Sequence, residues 1–461
     1  MRKHWNVLWF AAGLVACNSS PVLPVSLALF SVTPASGPTT GGTMAQLLGS
    51  GFTPQTVVSF DGMPSSQQTL VRDGVITALV PSHLGRAGLV DVRVEQPMTD
   101  AAPSVLPKSY RYFYGALGFS ASADTPATGP NPWFIHAEDL DGDGNKDLIV
   151  SNYTGQNLSV FLGKGDGSFR AQANYPGGRT PFGFAVGDLD GDGKKDLVVG
   201  QYAADPLQVL YGKGDGTFEP SQAVASLQAP RAVRVADLNK DGFLDVVTAN
   251  YLNGSVAVVL GQGGRKFASP IVYPAGSGAR AVAVGDFDGR NGPDIAVWAE
   301  TAMNVSLFLN RGDATFSAGQ TYLAGTKPVS GLAVDMNNDG KLDLVSASAS
   351  REPVLVHIGN GDGTFVTASP CGQDVYANQI VSDDWNLDGT PDIAVANYTA
   401  SGSITVLPGL GNGRCGDMVS APAGKATTGL VAADFDRDGK LDIVACNSTS
   451  QNLTFLRSTA Q

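Results

Sequence analysis

One nine-residue acidic pattern recurs along the chain, and its spacing constrains the fold more than any other feature. It reads DLDGDGNKD from Asp139, DLDGDGKKD from Asp188, DLNKDGFLD from Asp237 and DFDGRNGPD from Asp286. It continues as DMNNDGKLD from Asp335, DWNLDGTPD from Asp384 and DFDRDGKLD from Asp434. Successive starts lie 49 residues apart five times and 50 residues apart once. Seven copies at one period mean a repeated structural unit that buries its apolar face against its neighbours. Within a period, TPFGFAVGDL leads into the acidic loop and KDLVVGQY leaves it. LQVLYGKGDG then runs to a glycine-rich turn, and TFEPSQAVAS leads to the next copy. Helical periodicity is missing and turn residues recur about every 8–12 residues, which predicts four short strands per unit. Such units arranged radially predict an all-β fold, a seven-bladed β-propeller.

The loops suit a hard cation. Asp spaced by two converges carboxylate oxygens, and glycine at the sixth position allows the sharp turn. An EF-hand is excluded, because position 12 of the first loop is Val150 in an apolar run, where that motif needs a bidentate Glu and a helix. The candidate ligands of the first two loops are Asp139, Asp141, Asp143, Asn145 and Asp147, then Asp188, Asp190, Asp192, Lys194 and Asp196. The third and fifth offer Asp237, Asn239, Asp241, Phe243 and Asp245, and Asp335, Asn337, Asp339, Lys341 and Asp343. The sixth and seventh offer Asp384, Asn386, Asp388, Thr390 and Asp392, and Asp434, Asp436, Asp438, Lys440 and Asp442. The fourth loop has Arg290 at position 5 and Asn291 in the glycine slot, so six calcium sites are expected. Arg290 is expected to pair with Asp286 or Asp288 in place of metal. Magnesium fits less well, since it demands strict octahedral geometry and fewer protein ligands.

These loops, with segments such as GKGDGTF from Gly212 to Phe218, resemble the FG-GAP/VCBS repeat family. Its propeller also occurs in the integrin α head and in some lectins. The resemblance implies the propeller fold and calcium in the loops; a shared scaffold does not name a ligand. The last copy ends with only its third strand, at NLTFLRSTAQ. The stretch GALGFSASADTPA from Gly115 resembles KGDGSFRAQANYP after the first loop, and is expected to complete the last blade. The propeller then covers residues 115–461.

The N-terminus reads as a secretory signal over residues 1–16, with Arg2 and Lys3 before an apolar stretch. Leu14-Val15-Ala16-Cys17 resembles a bacterial lipobox, so Cys17 is expected to carry lipid at the cell envelope, on the outer membrane or cell surface. A Ser/Pro tether follows over residues 17–24. Residues 25–114 alternate short strands with Pro/Gly turns, as in an immunoglobulin-like sandwich. The run SVTPASGPTTGGT from Ser31 to Thr43 and the Gly51-Phe52 pair resemble an IPT/TIG domain, a module that spaces or presents another domain.

Net charge is -12, which argues against a nucleic-acid partner. The loops hold more than half of the 42 acidic residues. The four histidines, His4, His83, His136 and His357, sit in no G-x-S-x-G elbow or H-E-x-x-H pair. The repeat itself accounts for the acidic pairs, so a binding protein is expected rather than an enzyme. The alternatives are an enzyme or accessory module for extracellular polysaccharide, or a structural envelope component. Arg311-Gly312-Asp313 falls in the repeat's glycine turn and reads as drift. Cys371 and Cys415 lie near outer strands of adjacent blades, and whether they pair is left open because their strand positions do not match.

In the family resembled, metal loops occupy one propeller face and ligands use the other. Repeat register places Trp133, Phe182, Arg231 and Arg280 six residues before a loop, and Tyr153, Tyr202 and Tyr251 six residues after one. Aromatic faces and guanidinium forks suit sugars or extended peptide. A carbohydrate or extracellular protein is therefore expected across the first three blades of a monomer. The competing reading is that the tyrosines only fill space between blades.

Overall fold

The computed structural model describes residues 26–83, 87–99, 101–122 and 125–460. The signal, the tether and Cys17 lie outside the described residues. The chain divides into two compact units, one ending at Tyr112 and the other beginning at Phe113.

The first unit holds two antiparallel sheets. One orders Ala28–Thr33, Met44–Ser50, Val75–Leu79 and Gln68–Arg72. The other orders Ser36–Pro38, Ser104–Phe113, Gly88–Glu95, Val57–Phe60 and Met63–Pro64. Alternation in Gly88–Glu95 turns Val90, Val92 and Val94 inward while Leu89, Asp91 and Arg93 stay outside. Those valines meet Leu47, Val58, Phe60, Tyr110 and Tyr112 in one core.

The second unit contains seven four-stranded antiparallel sheets. The first orders Pro132–Glu138, Asp147–Asn152, Asn157–Phe161 and Ala173–Pro176. In every sheet the second strand is buried along its whole length, from Asp147–Asn152 to Asp442–Asn447. Neighbouring sheets cover both of its faces, so apolar residues follow one another directly after the Asp, as Leu148, Ile149 and Val150 do, instead of alternating with polar ones. First strands touch in a closed cycle. Pro132–Glu138 packs against Pro181–Gly187 on one side and against Thr427–Ala433 on the other. The seventh sheet takes its outer strand from upstream, where Phe119–Ala121 pairs with Asn452–Ser458 through Phe119↔Ser458 and Ala121↔Leu456. The architecture is an all-β propeller preceded by a sandwich.

Cys371 and Cys415 are joined by a disulfide, with Cα atoms 4.8 Å apart. Their strand positions differ because Cys371 belongs to the outer strand Ser369–Val375, whereas Cys415 closes the glycine turn of the next sheet opposite Gly409. Cys446 is a buried free thiol.

Candidate metal loops and the axial mouth

Each acidic loop joins the first strand of a sheet to the second, and its backbone is held by its own carboxylates. In the first loop, Gly142 N donates to Asp139 Oδ1 at 2.8 Å and Gly144 N to Asp139 Oδ2 at 2.9 Å. Gly144 has φ 82°, a conformation that glycine adopts without strain. The bond from the sixth residue to the first Asp recurs at Gly193, Gly242, Gly340, Gly389 and Gly439, between 2.7 and 3.0 Å.

The ninth residue ties the loop to the rest of its blade. Asp147 Oδ2 accepts from Leu140 N at 2.8 Å, and its Oδ1 accepts from Gly163 N at 2.7 Å. A Cβ at position 163 would collide with the Lys146 carbonyl, so glycine lets this turn approach, although Asn310 and Ser458 make the same bond in the fourth and seventh sheets. Burial pushes this carboxyl up to about 6, against the pull of its two hydrogen bonds and with the push of Asp141 and Asp143. Asp196, Asp245, Asp294 and Asp343 are also pushed up to about 6, and Asp392 and Asp442 to about 7. A buried carboxylate beside other carboxylates is unfavourable until a cation joins them.

Four triads bring one oxygen from each residue within 4.8 Å of one another: Asp139, Asp141 and Asp147; Asp188, Asp190 and Asp196; Asp286, Asp288 and Asp294; Asp434, Asp436 and Asp442. An all-oxygen set with one buried member fits calcium better than a softer ion. In the third, fifth and sixth loops an Asn replaces the second Asp. Its amide nitrogen donates to the fifth residue, as Asn239 does to Asp241 at 2.9 Å and Asn386 to Asp388 at 3.0 Å.

The fourth loop differs from its sequence-based expectation. Asp286, Asp288 and Asp294 converge as in the first loop, although Asn291, at φ 58°, stands in the glycine slot. No ion pair joins Arg290 to Asp286 or Asp288 among the described residues; its backbone N donates to Asp288 Oδ1 at 2.8 Å. The guanidinium therefore does not fill the seat between the carboxylates.

Cations do reach other loops, most of them from outside the acidic pattern. Arg265 Nε lies 2.8 Å from Asp190 Oδ2, and its Nη1 lies 2.7 Å from Glu219 Oε2. Its Cζ sits 4.1 Å from the Tyr211 ring centroid. Arg170 lies 3.7 Å from Asp141 and 3.8 Å from Asp143, and Arg457 lies 3.7 Å from Asp436. Lys194 Nζ bonds Asp192 at 2.9 Å.

The opposite ends of the same strands meet around the propeller axis. Register pairs Glu138 with Asp147 beside the loop and Pro132 with Asn152 at the far end. Trp133, Phe182, Arg231, Arg280, Val329, Asn378 and Thr428, each six residues before a loop, all line one axial cavity of about 70 Å³. Ring centroids lie 5.0 Å apart for Trp133 and Phe182, 5.4 Å for Phe182 and Tyr202, and 5.0 Å for Tyr153 and Tyr202. The Arg231 guanidinium sits between two rings, its Cζ 3.8 Å from the Tyr202 centroid and 3.5 Å from that of Tyr251. Arg280 Nη1 pairs with Glu300 Oε2 at 2.7 Å.

Register thus brings all seven of these aromatic and arginine residues into one cluster. The cluster also extends to Tyr398 of the sixth sheet, whose ring lies 6.0 Å from Trp133. Interblade packing accounts for Phe182 and Arg231, each 7% exposed. It does not account for Tyr202 and Tyr398, which are 37% and 48% exposed.

Radial four-stranded sheets with aspartate loops at one end define a repeat β-propeller with acidic loops. The FG-GAP-like repeat model matches residues 139–199, 190–248, 237–297, 292–346 and 384–445, more than half of the chain, and the chain belongs to that family. The IPT/TIG domain model matches residues 29–112. No curated protein matches the chain. Among solved structures, a chain of BBS1N in complex with ARL6DN is similar at 15% identity and TM-score 0.51, covering 74% of this chain and 97% of that one. An Agrocybe aegerita lectin specific for non-reducing terminal N-acetylglucosamine is similar at 17% identity and TM-score 0.45, covering 79% and 93%. An auxiliary nutrient binding protein from Bacteroides ovatus is similar at 13% identity and TM-score 0.43, covering 95% and 99%.

Proposed function

We propose that this is a calcium-binding, lipid-anchored protein of the bacterial cell surface that binds a carbohydrate or extracellular protein at the axial mouth. The observation that carries the reading is the convergence of Trp133, Phe182 and Arg231 on one cavity, with Tyr202 packed against Phe182 and Arg231 and both Tyr202 and Tyr398 left open to solvent. Aromatic faces with polar edges and a guanidinium fork suit recognition of a sugar or an extended peptide. Calcium at the loops fixes the ends of the first and second strands, and so holds the mouth at their other ends in shape. Cys17 supplies the anchor, and the protein acts as a monomer without nucleic acid.

The test is a binding screen of the full chain against glycans and envelope proteins, with calcium and with chelator. Trp133→Ala, Tyr202→Ala and Arg231→Ala are each expected to weaken the ligand found by tenfold or more. Unchanged affinity in all three, with fold and calcium content retained, places the site elsewhere.

A further inference from the structure

The chain has 42 acidic residues against 30 basic ones, yet the axial cavity is lined by Arg231, Arg234 and Arg280 and by no carboxylate. Two of these arginines are answered by the protein. Arg280 pairs with Glu300, and Arg234 Nη1 donates to the Val233 carbonyl at 2.8 Å. Arg231 is not answered. It is 7% exposed, its Nε is buried without a hydrogen-bond partner, and its guanidinium makes no ion pair among the described residues. Its close neighbours are the rings of Tyr202 and Tyr251. A charge taken from water without a counter-charge destabilises the fold, and cation–π contacts offset only part of that cost. What remains is a guanidinium whose Nε has no acceptor, lining a cavity walled by apolar and uncharged polar side chains together with the arginines.

The geometry selects the anion. Two rings lie against the guanidinium, so a partner approaches its edge, where a planar carboxylate matches the fork with two parallel hydrogen bonds. A cavity of about 70 Å³ admits a carboxylate and leaves the rest of the ligand outside. There the ligand meets Trp133, Tyr202 and Tyr398, flat apolar surfaces with polar rims that fit a sugar ring better than a flexible acidic side chain.

We infer that the axial mouth takes an acidic saccharide by its carboxylate, with Arg231 as the bidentate receptor and the Trp133, Tyr202 and Tyr398 rings as the platform for the sugar. This rests on the reading that the mouth is the ligand site. The full calcium-loaded chain is titrated with short oligosaccharides ending in glucuronate or galacturonate, and with the same compounds after reduction of the carboxyl to an alcohol. The uronates are expected to bind at least tenfold more tightly than their reduced forms. Arg231→Gln is expected to remove that preference, and Arg231→Lys, which keeps the charge and loses the fork, to remove most of it. Trp133→Ala is expected to weaken both series alike. Melting curves and calcium content show whether each variant is folded.

Equal affinity for acidic and reduced sugars, with Trp133→Ala still weakening both, overturns the carboxylate inference and leaves the mouth reading standing. Binding that ignores Trp133→Ala and both Arg231 variants overturns the mouth reading as well. No binding of any uronate, or preference for an Asp/Glu-rich peptide over every uronate, also overturns the inference.

Discussion

Cys371 is bonded to Cys415 at the place where, one repeat earlier, Tyr322 meets Phe365. Tyr322 pairs with Val305 across its sheet and Cys371 with Val354, while Phe365 and Cys415 close equivalent turns against Gly359 and Gly409. Phe365 N donates to Tyr322 Oη at 2.9 Å, and Phe316 N to Tyr273 Oη at 3.2 Å. A covalent bond thus replaces a recurring aromatic and hydrogen-bonded contact between neighbouring blades.

Breaking that bond is expected to cost about 4 kcal/mol, the loop entropy of a 44-residue closure. Cys371→Ala with Cys415→Ala should shift the denaturant midpoint accordingly. Cys371→Tyr with Cys415→Phe should recover part of the loss by restoring the neighbouring contact. Equal midpoints for the bonded and the Ala-substituted chain would show that the bridge adds nothing.

Calcium removal is expected to lower the melting temperature, since each ion held by the native state alone contributes roughly 2.7 kcal/mol at a hundredfold excess over Kd. Asp190→Ala should lose part of that increment. Because Asp286, Asp288 and Asp294 converge, Asp286→Ala should reduce the metal content by one ion per chain. Metal analysis giving the same stoichiometry for wild type and Asp286→Ala would leave the fourth loop empty, as its sequence suggested.

Arg265 competes with metal at the second loop, because its Nε sits 2.8 Å from Asp190. Arg265→Gln should raise calcium affinity there a few-fold, most visibly at low salt, since the pair is exposed and screened. Calorimetry on the variant checks the sign. Weaker binding would mean that the guanidinium helps to shape the loop.

His136, crowded within the ring of first strands, has its pKa lowered from 6.5 to about 4 by burial, with Arg234, Lys146 and Lys195 adding to the effect and Glu138 opposing it. A depressed folded value means that the unfolded chain binds the proton first. The neutral side chain's contribution is intact above about 6.5 and is lost as pH falls towards 4, by at most about 3 kcal/mol. His136→Leu should flatten that part of the melting-temperature profile. A variant with the wild-type slope between those values would assign the slope to other groups.

Much of this architecture was readable from spacing alone. Asp139 and its six counterparts are dictated within each unit, since the same backbone turn must be capped by the same carboxylate. Ring closure followed too, because Gly115 onward repeats the outer-strand texture. What stayed hidden are contacts between units. Cys371 meets Cys415 only because an outer strand leans on the next blade's turn, and Arg265 reaches Asp190 from the adjacent sheet. Repeat register compares like with like, and these pairs join unlike positions. Arg290 misled for a related reason: a long side chain at a ligand position need not turn towards the ligands.

The pairing of Phe119–Ala121 with Asn452–Ser458 imposes an order on folding. At about 5–20 residues per second, the earlier strand leaves the ribosome tens of seconds before its partner exists. Until then every intermediate presents an unpaired edge, and no shorter translation product can hide it. The circle acts as a completeness check, shut only when the last blade has been translated.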